Sequence, residues 1–290
     1  MNKRLLDTIS KLSDIKEFRD VCHQQSENHP MPSITVLSEL VQLIRSILFP
    51  GFFGNASVNS KSMVFHIGVN VENLQTLLAN QIKAGLCFDS HLKHEICETI
   101  DADSVEKATQ FISLLPTIRE KLHTDVKAAY NGDPAAKSFG EVIFCYPSIR
   151  AICNYRIANA LLQLKVPLIP RIITEMAHSE TGIDIHPGAT IGNFFTIDHG
   201  TGVVIGETAK IGNNVKMYQG VTLGAKSFPL DANGNPIKGI QRHPNIGNNV
   251  VIYSNSTILG NVLVGDNATI GGNLWVDTDV PAGAKLVQHK

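Results

Sequence analysis

From residue 183 onward, aliphatic side chains recur every six positions. Ile185, Ile191 and Ile197 set one frame; Ile205, Ile211, Met217 and Leu223 set the next; Ile246, Ile252, Ile258, Val264, Ile270 and Val276 set a third. Many are followed by glycine, as in Ile191-Gly192, Ile205-Gly206, Ile211-Gly212, Ile246-Gly247 and Val264-Gly265. A period of six fits neither an amphipathic helix nor an alternating strand. It is the signature of a parallel β-helix, in which each hexapeptide contributes one short strand and one turn and three of them close a triangular coil. The comb residue points inward and stacked coils bury a continuous aliphatic stripe. Glycine and asparagine at the corners tolerate the bends. The comb predicts a repeat module over roughly 183–280, about four to five coils of 18 residues.

Two breaks in the comb carry more functional information than the comb does. From Ile197 to Ile205 the spacing is eight, across Asp198-His199-Gly200-Thr201-Gly202. From Leu223 to Ile246 it is 23, so a segment over 225–245, rich in Pro, Asn, Asp and Gly, must loop out of the prism. Loops on a rigid scaffold are where function concentrates.

Before residue 181 the period is helical. Leu37, Leu40, Val41, Ile44 and Leu48 share one face and Pro50-Gly51 stop that helix. Thr117 followed by Glu120 reads as a capping box that opens a helix over 117–130, striped by Ile118, Leu122, Val126 and Ala129. Pro147 suits a first helical position, with Ile149, Ile152, Cys153 and Ile157 behind it and an end before Pro167. A further helix runs from about Arg171 to His178 and stops at Gly182, and 70–84, 90–100 and 103–115 also read as helices. The fold class is therefore α+β, with a helical N-terminal domain over 1–180 and a β-helix domain over 181–290. Residues 1–130 hold no catalytic motif and read as a scaffold or assembly domain.

Composition excludes several classes. With Lys+Arg at 25 and Asp+Glu at 26, the net charge is -1, without the basic excess of a nucleic-acid binder. The five cysteines (Cys22, Cys87, Cys97, Cys145, Cys153) form no CxxC pair, which argues against a disulfide framework or structural zinc. No apolar stretch reaches the roughly 20 residues of a membrane span, and the charged start Met1-Asn2-Lys3-Arg4 does not read as a signal peptide. A cytoplasmic protein with reduced thiols is expected.

A prism packed with Ile and Val leaves no room for a ligand inside. Sites must lie outside, in concave junctions with a loop or another chain. Sites shared by two chains of a cyclic trimer follow most simply. The polar residues that break the comb are the candidates: Asp184 and His186, Asp198 and His199, Arg242 and His243. A neutral histidine could take a proton from an alcohol, with a carboxylate fixing its tautomer, and Arg242 would suit a substrate carboxylate. Taken alone, a histidine at a turn is more often a surface or core-satisfied group. Three histidines (His186, His199, His243) could also hold zinc between subunits. Their spacing does not suit adjacent coils, however, and Arg242 opposes a cation there.

These residues bring out a resemblance. Gly182-Ile183-Asp184-Ile185-His186-Pro187-Gly188-Ala189, the run Ile197-Asp198-His199-Gly200-Thr201-Gly202-Val203-Val204-Ile205-Gly206-Glu207-Thr208, Gln219-Gly220-Val221-Thr222-Leu223-Gly224 and Arg242-His243-Pro244 resemble the serine O-acetyltransferases in their longer bacterial form. Gly132-Asp133-Pro134-Ala135 and Tyr155-Arg156-Ile157 resemble that family's helical domain, so the likeness covers about 125–280. It implies a left-handed β-helix and acetyl transfer from acetyl-CoA to the hydroxyl of L-serine, the activation step of cysteine biosynthesis. It implies His199 as general base oriented by Asp184; Asp133 and Asp198 on the amino acid's ammonium and hydroxyl end; Arg242 and His243 on its carboxylate; and Gly224, Ala225, Ser254 and Gly272 on the CoA side. It further implies a homotrimer or dimer of trimers, feedback inhibition by L-cysteine and no metal. Homoserine, sugar or antibiotic acceptors are the competing expectation. The chain ends Val287-Gln288-His289-Lys290, without the tail ending in isoleucine by which well-known members dock into cysteine synthase, so no stable complex with that enzyme is expected.

Overall fold

The computed structural model describes residues 2–17, 30–54, 58–93, 100–227 and 229–288. Helices α1 (Lys3–Ser13), α2 (Ile34–Leu48), α3 (Met63–Lys93), α4 (Ile100–Gly132), α5 (Phe139–Cys145), α6 (Pro147–Gln163) and α7 (Ile169–Thr181) precede fourteen short strands, β1 (Asp184–Ile185) to β14 (Lys285–Leu286). Cys22, Cys97 and part of the helix expected over 90–100 lie outside the described residues. Cys87, Cys145 and Cys153 form no disulfide among the described residues. None of the described helices is long and apolar enough to cross a membrane.

The comb residues occupy β1 to β13 one for one, and the strands sort into three parallel sheets, in the orders β1-β4-β7-β10-β13, β11-β8-β5-β2 and β14-β12-β9-β6-β3. Register places Ile185 beside Ile205, Leu223 beside Ile258 and Ile258 beside Val276 on the first face. Ile191, Ile211 and Ile246 align on the second face, and Ile197 and Met217 on the third. A second inward stripe lies two residues before each comb position. Ala189, Phe195, Val203, Val215, Val221, Val250 and Ala268 are all fully buried. Two stripes fill the triangle and leave no room inside it for a ligand. At the corners Asn214, Asn249 and Asn267 adopt positive φ and their side-chain amides bond up the stack at 2.9 and 3.1 Å. The prism extends past the expected end near residue 280, because β14 closes its third face with Thr269 beside Lys285.

The helical half departs from the sequence reading at several points. No helix begins at Thr117. α4 runs unbroken from Ile100 to Gly132 with Pro116 inside it. A mid-helix proline costs about 3 kcal/mol or more. The buried stripe Ala108, Phe111, Leu115, Ile118, Leu122, Val126 and Ala129 runs through that point at helical spacing and outweighs the break. Likewise the expected segment 70–84 is part of the longer α3. α5 went unanticipated, although Ser138 caps it by accepting from the Glu141 N–H at 3.1 Å.

Helices α4, α6 and α7 pack on the first coil. The junction is polar and buried. Arg156 on α6 donates to both oxygens of Asp125 on α4, at 2.6 and 2.9 Å, and to the Gly192 carbonyl at 2.8 Å. Asp125 also accepts the Phe195 N–H at 3.1 Å. Tyr155 donates to the Ala189 carbonyl at 2.7 Å. These contacts fix the end of α4 against β3 (Thr196–Asp198).

Candidate active site

The long irregular corner follows β3. His199 sits there with φ 59°, in the left-handed region, so its ring is aimed outward and is 75% exposed. Gly200 follows with φ 102°, and a Cβ there would overlap Ile183. His199 Nε2 lies 3.8 Å from Asp198 Oδ1. The far oxygen of Asp198 lies 3.5 Å from the Lys216 ammonium.

The helical half completes this corner. α4 ends at Gly132, and Asp133 follows at once. Its carboxylate accepts from the Tyr146 hydroxyl and, at 2.8 Å, from the Ala135 N–H. Those two bonds, Tyr146 first, hold Asp133 below the usual carboxylate range. The same bond pushes the Tyr146 phenol up to about 12. The sequence reading missed Tyr146 and Lys216. Neither stands in a motif, and only the packing of α4 on β3 reveals them.

A second cluster forms on the opposite edge of the same prism face, where β4 (Val204–Ile205) turns into β5 and the 225–245 loop returns to β8. Thr208 receives the returning chain: its hydroxyl accepts from the backbone N–H groups of Arg242 and His243 at 3.0 and 3.2 Å. The Thr208 N–H donates to His243 Nδ1 at 3.1 Å, while Gln241 donates to the Thr208 carbonyl at 2.7 Å. A Cβ on Gly206 would overlap the His243 ring, so only glycine lets that ring lie against the coil. Burial and then the Arg242 charge lower His243 to about 4, which keeps it neutral. Arg242 pairs with Glu207. Burial pulls Glu207 up, but the Arg242 bond and charge outweigh it and hold the group below its ordinary value. His186 accepts the Gly188 N–H at 3.0 Å; burial, with Arg171, lowers its basicity.

Asp184 lies on the face between the two clusters. Its ion pair is with Arg171 on α7, at 3.8 Å. Among the described residues it makes no hydrogen bond to His199, so the structure brings Asp133, Asp198 and His199 together and leaves Asp184 apart. Glu175, His178 and Asp184 place ligand atoms within 4.8 Å of one another, but the Arg171 guanidinium already engages Glu175 and Asp184.

The residues assigned to the CoA side divide likewise. Gly224 ends β7 and Ala225 opens the loop, beside a cleft of about 350 Å³ lined by Lys226, Gln241, Arg242, Leu259 and Asp277. Ser254 and Gly272 adjoin one another higher on the His199 edge, where a Cβ on Gly272 would lie 3.2 Å from the Ser254 carbonyl. On that edge Tyr218 and Tyr253 stack at 5.0 Å.

Comparisons with known proteins find relatives along most of the chain. The family described as bacterial transferase hexapeptide (six repeats) matches residues 243–277. The plasmid serine acetyltransferase of Synechococcus elongatus is 48% identical over 264 residues, covering 90% of this chain and 82% of its own. The solved structure of serine acetyltransferase 1 from Entamoeba histolytica in complex with L-cysteine aligns with a TM-score of 0.75 at 34% identity, over 97% of this chain and 94% of that one. A serine acetyltransferase solved in complex with CoA aligns with a TM-score of 0.55 at 26% identity, over 86% of this chain and 96% of that one.

Proposed function

The chain belongs to the serine acetyltransferase family, and on that premise we propose that it transfers the acetyl group of acetyl-CoA to the hydroxyl of L-serine by direct attack, with His199 as general base. The observation that carries this reading is the meeting of Asp133, Asp198 and His199 at one corner, drawn from both halves of the chain. Two carboxylates suit the ammonium of a zwitterionic amino acid, and an outward imidazole beside them suits its hydroxyl.

The steps balance without a covalent acyl-enzyme. His199 takes the hydroxyl proton as the serine oxygen attacks the thioester carbon. The tetrahedral intermediate collapses, the C–S bond breaks, and the imidazolium returns the proton to the CoA sulfur. The thioester is already activated, so positioning and a base suffice and no metal is needed. Asp184 orients the imidazole once ligand is bound, exchanging Arg171 for His199. Gly224, Ala225, Ser254 and Gly272 flank CoA in this reading; the CoA complex of a relative supports the co-substrate itself.

Arg242 and His243 bind the serine carboxylate, and this requires a second chain. On one prism they lie a full face away from His199, roughly 13 Å for four extended residues, further than one amino acid reaches. A cyclic trimer sets the Arg242 edge of one chain against the His199 edge of the next and builds each of three sites from two halves. L-cysteine, which differs from serine by sulfur for oxygen, binds the same pocket as a feedback inhibitor, as the cysteine complex of a relative supports.

The test is CoA release from acetyl-CoA with L-serine, L-homoserine or no acceptor, for the parent chain and for His199→Ala. We expect serine-dependent turnover that L-cysteine suppresses, and a fall in kcat of about 10²–10⁴-fold in the variant. Near-normal turnover by His199→Ala would remove the base assignment. Turnover with homoserine and none with serine would reassign the acceptor.

A further inference from the structure

We infer that Lys216 is a positioning residue for the amino-acid acceptor: its ammonium ties the Asp133 turn to the Asp198 corner and sets the charge of the carboxylate pair. The inference rests on the reading that this corner receives the acceptor's ammonium.

Lys216 stands on β6, whose comb residue is Met217, so its side chain points out of the prism. Thr196 is its register partner and Asp198 its diagonal neighbour on β3. From there Nζ donates to the Gly132 carbonyl at 2.6 Å, at the last residue of α4. It also lies 3.5 Å from Asp198 and 4.7 Å from the centre of the Tyr218 ring. Nζ thus bridges a helix C-terminus, where a cation is favoured, and a carboxylate 66 positions further along the chain.

The space it fills is small. Asp133, Tyr146, Asp198 and Lys216 enclose a cavity of only about 10 Å³, roughly the room of one water. Without the ammonium, two carboxylates would face one another across it and repel. With it, the group carries one net negative charge, which a single substrate ammonium neutralises. Lys216 meets a backbone carbonyl and a protein carboxylate already in the free chain, so it acts through Asp133 and Asp198.

The experiment compares Lys216→Met and Lys216→Arg with the parent. It reads the KM for serine, the KM for acetyl-CoA, kcat, and hydrogen–deuterium exchange over 100–138. Loss of a charge-assisted tie should raise the serine KM in Lys216→Met by on the order of tenfold. The acetyl-CoA KM should stay within about twofold. Exchange at 129–135 should quicken while 100–120 stays protected, and Lys216→Arg should recover most of both effects. An unchanged serine KM, a parallel rise in both KM values, or unchanged exchange at 129–135 would overturn the inference. Absence of serine-dependent turnover in the parent would instead overturn the acceptor reading, and the exchange data would still decide the tie.

Discussion

Removing Asp125 should be among the most damaging single changes in the chain. Its carboxylate is fully buried and Arg156 is 5% exposed. Three donors converge on it: two from the guanidinium, at 2.6 and 2.9 Å, and the Phe195 N–H at 3.1 Å. Asp125→Ala would strand a buried guanidinium and a buried backbone donor together, which costs about 3–5 kcal/mol. At about 2–4 °C per kcal/mol for a domain of this size, the thermal midpoint should fall by roughly 6–20 °C. Truncating both partners, Asp125→Leu with Arg156→Met, removes the stranded charge. The double variant should therefore be more stable than Asp125→Ala by about 1 kcal/mol or more, although the Gly192 carbonyl loses its donor. Urea unfolding at one fixed protein concentration measures both variants. A loss under about 1 kcal/mol in Asp125→Ala, or a double variant no more stable than Asp125→Ala, would refute the view that this pair locks the halves together.

Two further predictions concern the Arg242 edge. Gly206→Ala should expel the His243 ring, since its Cβ would overlap the imidazole. The expected result is a higher serine KM with a stability loss of about 1–3 kcal/mol, because the Thr208 N–H loses its acceptor, and unchanged kinetics would show that the ring need not lie there. His243 gives a pH signature as well. Its basicity falls from 6.5 to about 4 in the folded chain, so the unfolded chain binds the proton more readily. The stability it contributes is complete above about pH 6.5, declines as pH falls, and is gone below about pH 4, with an upper bound of about 3 kcal/mol. Urea midpoints between pH 7 and 4.5 should fall more steeply for the parent than for His243→Gln, and parallel slopes would refute the buried neutral histidine.

The inside of the prism was legible in the sequence because burial there obeys one rule. Each comb position demands an aliphatic, and Ile185, Ile205, Leu223, Ile258 and Val276 meet it in a single register column. The candidate residues were legible where they interrupt that rule: Asp198 and His199 in the eight-residue step, Arg242 and His243 at the end of the inserted loop. The outward positions obey no such rule. Nothing in the repeat distinguishes Lys216 from Lys210, which is exposed on β5; what separates them is that α4 ends beside β6. Thr117 misled for a related reason. A capping signature is a local preference, and the buried stripe on either side of Pro116 overrode it.

That unbroken α4 changes the part the helical half plays. A helix of 33 residues reaches about 50 Å at 1.5 Å per residue, and a kink at Pro116 would swing its far end away from the prism. Kept continuous through Pro116 by its stripe and pinned by Asp125 to Arg156, it delivers Asp133 to the corner where Asp198 and His199 stand. Tyr146, at the mouth of α6, then fixes the carboxylate, and Lys216 fixes the turn that bears it. The prism supplies the imidazole and one carboxylate, and the helices supply the other. In the proposed function, a helical domain without a catalytic motif shapes the acceptor pocket through the last turn of one helix, and changes along α4 far from the corner should register first as a weaker grip on the amino acid rather than as a slower acetyl transfer.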